Sequence, residues 1–415
     1  MANGLAMRCE ICKISEICER IVSGGTPSSR ESLYYNGSIP WLNTKEINFN
    51  HIFSTEKTIT EAGFANSATK WVPKHSVIVA MYGATAARVA YSEIDLTTNQ
   101  ACCNLIIDTS KVESLYVYYY LSNVYHELHN LATGAAQQNL SVQVIGDFPI
   151  VLPPLEEQKR IVSILSVLDD KIELNRRINE NLEEQAQALF KHWFVDYEFP
   201  NEDGKPYKSF GGKFAKSELD DIPDDWNVVN YTDIISVKSG GTPKTDVVEY
   251  WGGDIPFFSP KDVPYSCYVL NTEKSITKAG LDNCNSALYP KNTVFITARG
   301  TVGKVVLAGC DMAMNQTNYA LIGKDGICQY YVYHITLQLV ERLRKKANGA
   351  VFSAITTRDF ASERIVVPCN HVIDFFNDRV RPIYERILLN NIENERLSAI
   401  RDTLLPRLMN GEVLI

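Results

Sequence analysis

No stretch of 18 consecutive apolar residues occurs in this chain of 415 residues, so no membrane-spanning helix is expected. Its start lacks the apolar core of a secretory leader, and the expected compartment is the cytoplasm. Ten cysteines are scattered without an even framework. Cys9, Cys12 and Cys18 supply half of a zinc pattern, but the second Cys/His pair that would complete it is missing. Reduced, mostly buried thiols are the expectation. Seven histidines form no ligand-spaced cluster. A G-x-G-x-x-G after a strand, a Walker loop and a G-x-S-x-G elbow are all absent. Acidic side chains lack the paired arrangement of a metal nuclease, and Leu152 stands where an amino-methyltransferase signature before Pro153-Pro154 would need Asn or Asp. The chain therefore reads as non-catalytic, with no cofactor or metal of its own.

An excess of positive charge is missing too. The total is 41 basic against 49 acidic side chains. Residues 1–153 carry 10 basic and 13 acidic groups, 154–199 carry 6 and 10, 200–368 carry 19 and 19, and 369–415 carry 6 and 7. Any nucleic-acid binding must use local patches or positive charge brought by partners. Arg342, Arg344, Lys345 and Lys346 form the main basic cluster, a candidate for phosphate contact or plain solvated surface.

What the chain does contain, it contains twice. Ser23-Gly24-Gly25-Thr26-Pro27 returns as Ser239-Gly240-Gly241-Thr242-Pro243, 216 positions later. Tyr34, Gly37, Ile39, Pro40 and Lys45 return as Tyr250, Gly253, Ile255, Pro256 and Lys261. The echo continues through Pro73-Lys74 and Pro290-Lys291, Asn99-Gln100 and Asn315-Gln316, Gly134-Ala135 and Gly349-Ala350, and Ile150-Val151 and Ile365-Val366. Two copies of one globular domain are expected rather than a solenoid. The Ser-Gly-Gly-Thr-Pro element is expected to be a structural turn, its glycines supplying positive φ. Within the first copy, strands are predicted at 39–42, 77–81 and 104–107, a short helix over 57–62 stopped near Gly63, and a helix over 115–131. The second copy repeats this order, with a helix at 329–347.

A long helix follows each copy. Ile161, Leu165, Leu168, Ile172, Asn175, Asn179, Leu182, Ala186, Leu189 and Trp193 are spaced 4-3-4-3. Phe376, Val380, Ile383, Ile387, Asn390, Asn394, Leu397, Arg401, Leu404 and Leu408 repeat that spacing. This is a heptad seam, and either antiparallel or parallel pairing brings its four asparagines into one polar layer that fixes register; the duplicated unit of domain plus helix closes naturally with the helices antiparallel. Pro406 should bend or end the second helix, and Gly411 should stop it. The fold class is accordingly α+β: two similar globular α/β domains joined by two long antiparallel coiled-coil helices about a pseudo-twofold. The expected divisions are domain 1 at 1–153, a central helix at 154–199, an exposed polar linker at 200–225, domain 2 at 226–368 opening on Trp226, and a distal helix at 369–415.

The combination resembles the specificity subunit of type I restriction-modification enzymes. Residues 14–47 and 230–263 are similar to the opening of that family's target-recognition domains. PPLEEQKRIVSILSVLDDKI at 153–172 and LEEQAQALFKHWF at 182–194 resemble its central helical region, and IRDTLLPRLMNGEV at 400–413 its carboxyl end. The resemblance implies that each domain reads half of a split, asymmetric double-stranded DNA target. The helices would then be a ruler and a platform for two modification (methyltransferase) subunits. S-adenosylmethionine, ATP and Mg would act in those subunits and in the restriction (motor-nuclease) subunits. A protein-assembly scaffold, or an orphan specificity subunit without DNA binding of its own, is the alternative.

Base readout needs forked donors and acceptors on loops. The candidates are Lys45, Tyr82, Arg88, Asn99 and Gln100 in the first domain, and Lys261, Arg299, Lys304, Asn315 and Gln316 in the second. Residues identical in both copies suit phosphate contact or folding, because two different half-targets need different readers. Tyr82 against Arg299, and Arg88 against Lys304, are therefore the better specificity candidates. Ala84-Thr85-Ala86-Ala87-Arg88 stands against Thr301-Val302-Gly303-Lys304, so the two turns should approach DNA differently. Helix pairing is assigned to Ile172, Asn175, Asn179 and Leu182 with Ile387, Asn390, Asn394 and Leu397.

Overall fold

The computed structural model describes residues 9–133, 139–346 and 354–413. The Gly134-Ala135 and Gly349-Ala350 echo, and the predicted helix end at Ala347, lie outside the described residues. The chain divides into two compact units, Met1–Asp170 with Leu397–Ile415 and Lys171–Arg396.

Each unit holds a five-stranded sheet of the same strand order. In the first unit the strands run Cys18–Ser23, Cys102–Ile107, Val77–Ala80, Val89–Ser92 and Asn50–Ile52 across the sheet. In the second they run Ile235–Ser239, Asn318–Gly323, Val294–Thr297, Val305–Ala308 and Tyr268–Val269. The last strand is the parallel one in both. Val77, Ile78, Val79 and Ala80 are all buried, as are Val294, Phe295 and Ile296, which explains their unbroken apolar runs. A second sheet in each unit is built on Tyr35–Leu42 and on Trp251–Phe258.

The backbone repeats where the side chains do not. Left-handed φ recurs at Asn36 and Gly252 (61° and 75°), His75 and Asn292 (67° and 69°), and Ala87 and Gly303 (66° and 76°). Only glycine adopts this region freely, so Ala87 is held there by its surroundings. Its N–H donates to Ala80 O at 2.8 Å, as Gly303 N–H does to Thr297 O at 2.8 Å.

The Ser-Gly-Gly-Thr-Pro motif corrects an expectation. None of its four glycines is among the positive-φ residues. They are glycine because another backbone lies against them. A Cβ on Gly24 would sit 2.2 Å from Thr98 O, and one on Gly240 2.1 Å from Asn315 O. The motif is thus a close-packed extended segment, not a positive-φ turn. Other differences are local. The helix expected over 115–131 breaks at Val124 into Ser114–Asn123 and Tyr125–Thr133. Residues 57–59 are a strand, and the short helix is Glu61–Ala65, running through Gly63.

The long helices are Leu155–Phe194 and Asn370–Met409, 40 residues each. The second runs past Pro406 and stops at Gly411, φ 68°, where Gly411 N–H bonds Leu408 O at 3.2 Å. In the first unit Ile161 and Leu165 share a core with Leu404, Leu405 and Leu408. In the second, Phe190 and Trp193 pack on Phe376. The pairing is therefore antiparallel. Residues 195–226 are more ordered than their polar composition suggested. Phe199 stacks on Tyr207 and Trp226 at 4.6 and 4.9 Å, Phe194 lies 6.0 Å from Trp226, and a two-stranded sheet joins Phe214–Lys216 to Asp221–Pro223. These widely spaced aromatic side chains join the second unit's core, in which Phe199, Ile222 and Trp226 are all buried.

Candidate nucleic-acid interface

Strand direction gathers the first domain's candidate readers at one end of its sheet. The strand ending at Ser23 leads to the glycine motif, and that ending at Ala80 leads to the 81–88 loop. The 99–101 loop opens the strand between them. Met81 N–H bonds Ala101 O at 2.8 Å, Gly25 N–H bonds Thr98 O at 2.9 Å, and Asn99 N–H bonds Leu42 O at 3.0 Å. The second unit has the same junctions, with Ala298 N–H on Thr317 O at 2.8 Å and Asn315 N–H on Phe258 O at 3.0 Å. Eight of the ten candidates lie on these two sets of loops, and Lys45 and Lys261 follow the strands that end at Leu42 and Phe258.

Lys45 and Lys261 each sit inside a one-turn 3-10 helix closed by a capping box. Glu46 accepts from Asn43 N and Glu56 N at 2.9 and 2.8 Å, and Asp262 accepts from Ser259 N and Glu273 N at 2.8 and 2.7 Å. The turn is rigid and the lysine points outward; Lys261 lies 3.8 Å from exposed Glu273. Asn99 and Asn315 spend their side-chain oxygens locally. Asn99 Oδ1 accepts from Ala101 N at 3.1 Å, and Asn315 Oδ1 from Asn318 Nδ2 at 2.7 Å. Gln100 and Gln316, both exposed, bond Thr26 and Thr242 of the glycine motif. These identical residues tie loop to motif in both copies.

The residues that differ are displayed otherwise. Tyr82 is 39% exposed, and Arg299 and Lys304 are exposed. Arg88 is half-buried, with Nη1 donating to Asn48 Oδ1 at 2.8 Å. Neither Asn48 nor fully exposed Tyr265 was singled out in the sequence. Both follow the capped turn, and Asn48 meets the Arg88 loop only in space.

The basic cluster is not an open patch. Arg344 donates to Gly303 O at 3.1 Å, while Arg342 and Lys346 face Glu363, a carboxylate 3% exposed. In the first unit His129 Nδ1 lies 3.2 Å from Ala86 O, a contact from helix to turn one residue earlier than that of Arg344. Lys345 is exposed and has no ion pair among the described residues.

The helix seam has its own polar layer in the second unit. Asn175 Nδ2 donates to Asn394 Oδ1 at 2.8 Å and to Glu393 at 2.7 Å. Asn390 Nδ2 donates to Asn179 Oδ1 at 2.8 Å, and Asn179 Nδ2 to Asn391 Oδ1 at 2.8 Å. Asn391 in turn reaches Ser266 Oγ at 2.7 Å. Ile387 is buried beside this layer, and Leu182 packs against the same core. Ile172 and Leu397 are half-buried. In the first unit, Arg401 occupies an otherwise apolar seam because Asp169 Oδ1 meets it at 2.7 Å, with Tyr119 OH on the other carboxylate oxygen at 2.7 Å.

A family model, the type I restriction modification DNA specificity domain, matches residues 8–184 and 223–371. The chain belongs to this family. The DNA specificity domain match takes in both sets of reading loops and the central helix as far as residue 184. The MjaIX type I restriction enzyme specificity subunit of Methanocaldococcus jannaschii is 27% identical over 98% of this chain and 94% of the relative. The HindI specificity subunit of Haemophilus influenzae is 27% identical over 65% of this chain and 70% of that relative. The crystal structure of an S subunit from M. genitalium shares the fold, with a TM-score of 0.55 at 14% identity over 98% of both chains. Among the described residues no helix is long and apolar enough to cross a membrane.

Proposed function

We propose that this chain is the non-catalytic DNA-recognition subunit of a type I restriction-modification enzyme, each domain reading one half of a split, asymmetric double-stranded target. One observation carries the reading: a single backbone frame occurs twice, with different donors at its reading end, Tyr82 and Arg88 in one copy and Arg299 and Lys304 in the other. A duplicated frame with unequal readers suits a bipartite, asymmetric site. Two modification subunits dock on the paired helices and restriction subunits join them. S-adenosylmethionine, ATP and Mg act in those partners, in the cytoplasm.

The chain carries no excess of positive charge, so the modification subunits supply much of the phosphate neutralisation. The isolated chain is expected to give no tight, sequence-specific gel shift at about 150 mM salt, and a tight specific complex would sink that part of the reading. The decisive experiment maps N6-methylated adenines on DNA exposed to the chain plus its modification subunits. A bipartite motif with a fixed unspecified spacer is expected. Methylation without one favours the assembly-scaffold alternative.

A further inference from the structure

We propose that Asn48 is a positioning residue that aims the Arg88 guanidinium at a guanine in the first half-target. The inference rests on the DNA-recognition reading above. Arg88 is fixed at both ends. Its backbone N–H bonds Thr85 O and its carbonyl accepts from Ala80 N, both at 2.9 Å. Its Nη1 donates to Asn48 Oδ1 at 2.8 Å. One N–H of five is thereby used, leaving the rest of the fork for a ligand.

The backbone at Asn48 is held in place. Its backbone N–H is taken by Asn50 Oδ1 at 2.7 Å. Next to it Phe49 is in the left-handed region, φ 54°, with its N–H on Val89 O at 2.9 Å and its ring edge-on to Tyr125 at 5.2 Å. Phe49 therefore stays in an unfavourable conformation only because strand and helix clamp it, and the clamp presents Asn48 to Arg88. A guanidinium already ordered at the groove loses less freedom on binding than an exposed lysine does. Its paired N–H groups match guanine O6 and N7.

The second domain lacks the device. Lys304 stands in place of Arg88, exposed and without an ion pair among the described residues. After its capped turn the chain is one residue longer before the parallel strand, and Pro264 and exposed Tyr265 stand in the sequence where the first copy has Asn48. A forked, pre-oriented donor thus exists in one domain only, and guanine should be demanded at this place in one half-target only.

The test uses the chain assembled with its modification subunits and methylation mapping on a library randomised across both half-targets. Arg88→Ala should relax one G·C position of the first half-target by about tenfold or more. Asn48→Leu, close in shape but without the acceptor, should relax the same position more weakly. Asn48→Asp, which keeps the acceptor, should retain the parental preference. The second half-target should stay unchanged throughout, which separates a reading defect from misfolding. If a variant loses both halves through misfolding, Arg88→Lys, which keeps charge and stem but not the fork, provides the same test. An unaltered first half-target in Arg88→Ala or Arg88→Lys, or relaxation by Asn48→Leu elsewhere than by Arg88→Ala, would overturn the proposal. Absence of any bipartite motif with the unaltered chain would instead refute the DNA-recognition reading itself.

Discussion

Single residues in this fold are dictated by what lies against them. Gly24→Ala should destabilise the first domain by about 1–3 kcal/mol or more, since its Cβ would press on a carbonyl that cannot withdraw without breaking the Gly25–Thr98 hydrogen bond. Chemical denaturation of the variant checks this, and the same change at Gly83, whose Cβ would meet nothing, should cost only the strain of its φ of 74°. His334 makes a different prediction. It is 2% exposed, stacked 5.0 Å from Phe190 and bonded to Tyr384 OH at 2.8 Å. Burial pushes its pKa down to about 3. The unfolded chain takes up a proton near 6.5 and the folded one does not, so this site lowers stability as pH falls from about 6.5 toward 3, by at most about 1.4 kcal/mol per unit. Denaturation at several pH values should show that slope, and His334→Phe should remove it while costing about 1–3 kcal/mol for the orphaned Tyr384 hydroxyl.

At the scale of elements, the asparagine layer trades stability for register. Asn390→Leu leaves Asn179 Oδ1 without its donor and should cost about 1–3 kcal/mol. Adding Asn179→Leu should recover only part of it, because the two leucines need no hydrogen bond but Asn391 Oδ1 loses its Asn179 donor; a double-mutant cycle measures the coupling. The pairing of these elements could be read from the chain because heptad spacing and duplication are properties of sequence order. Trp226 could be noticed there as the second domain's opening, but not as the residue that packs the end of the central helix and Phe199 into that domain's core. Its partners Phe194, Tyr197 and Phe199 lie some thirty residues away, across the polar stretch 200–225. Trp226→Ala should cost about 3–5 kcal/mol and expose residues 200–225 to limited proteolysis. The readers divide in the same way. Lys45 and Arg88 announce themselves as donors on loops, whereas Asn48 matters only through an approach between two loops forty residues apart.

For the whole molecule, the helices matter because they are uninterrupted. Each runs 40 residues, roughly 60 Å, and each contributes one end to either compact unit. Nothing in the described residues of Leu155–Phe194 or Asn370–Met409 interrupts them, Pro406 included. Deleting one heptad from each helix at facing layers, with the asparagine layer kept, removes roughly 10 Å, or about three base pairs at 3.4 Å each. The reading loops lie at the ends of sheets that each carry their own core, so neither half-target should change. Methylation mapping should therefore return both original half-targets separated by a spacer about three base pairs shorter. The original spacer would show that the helices do not set the distance, and an altered half-target would show that reading depends on the helix pair as well as on the loops.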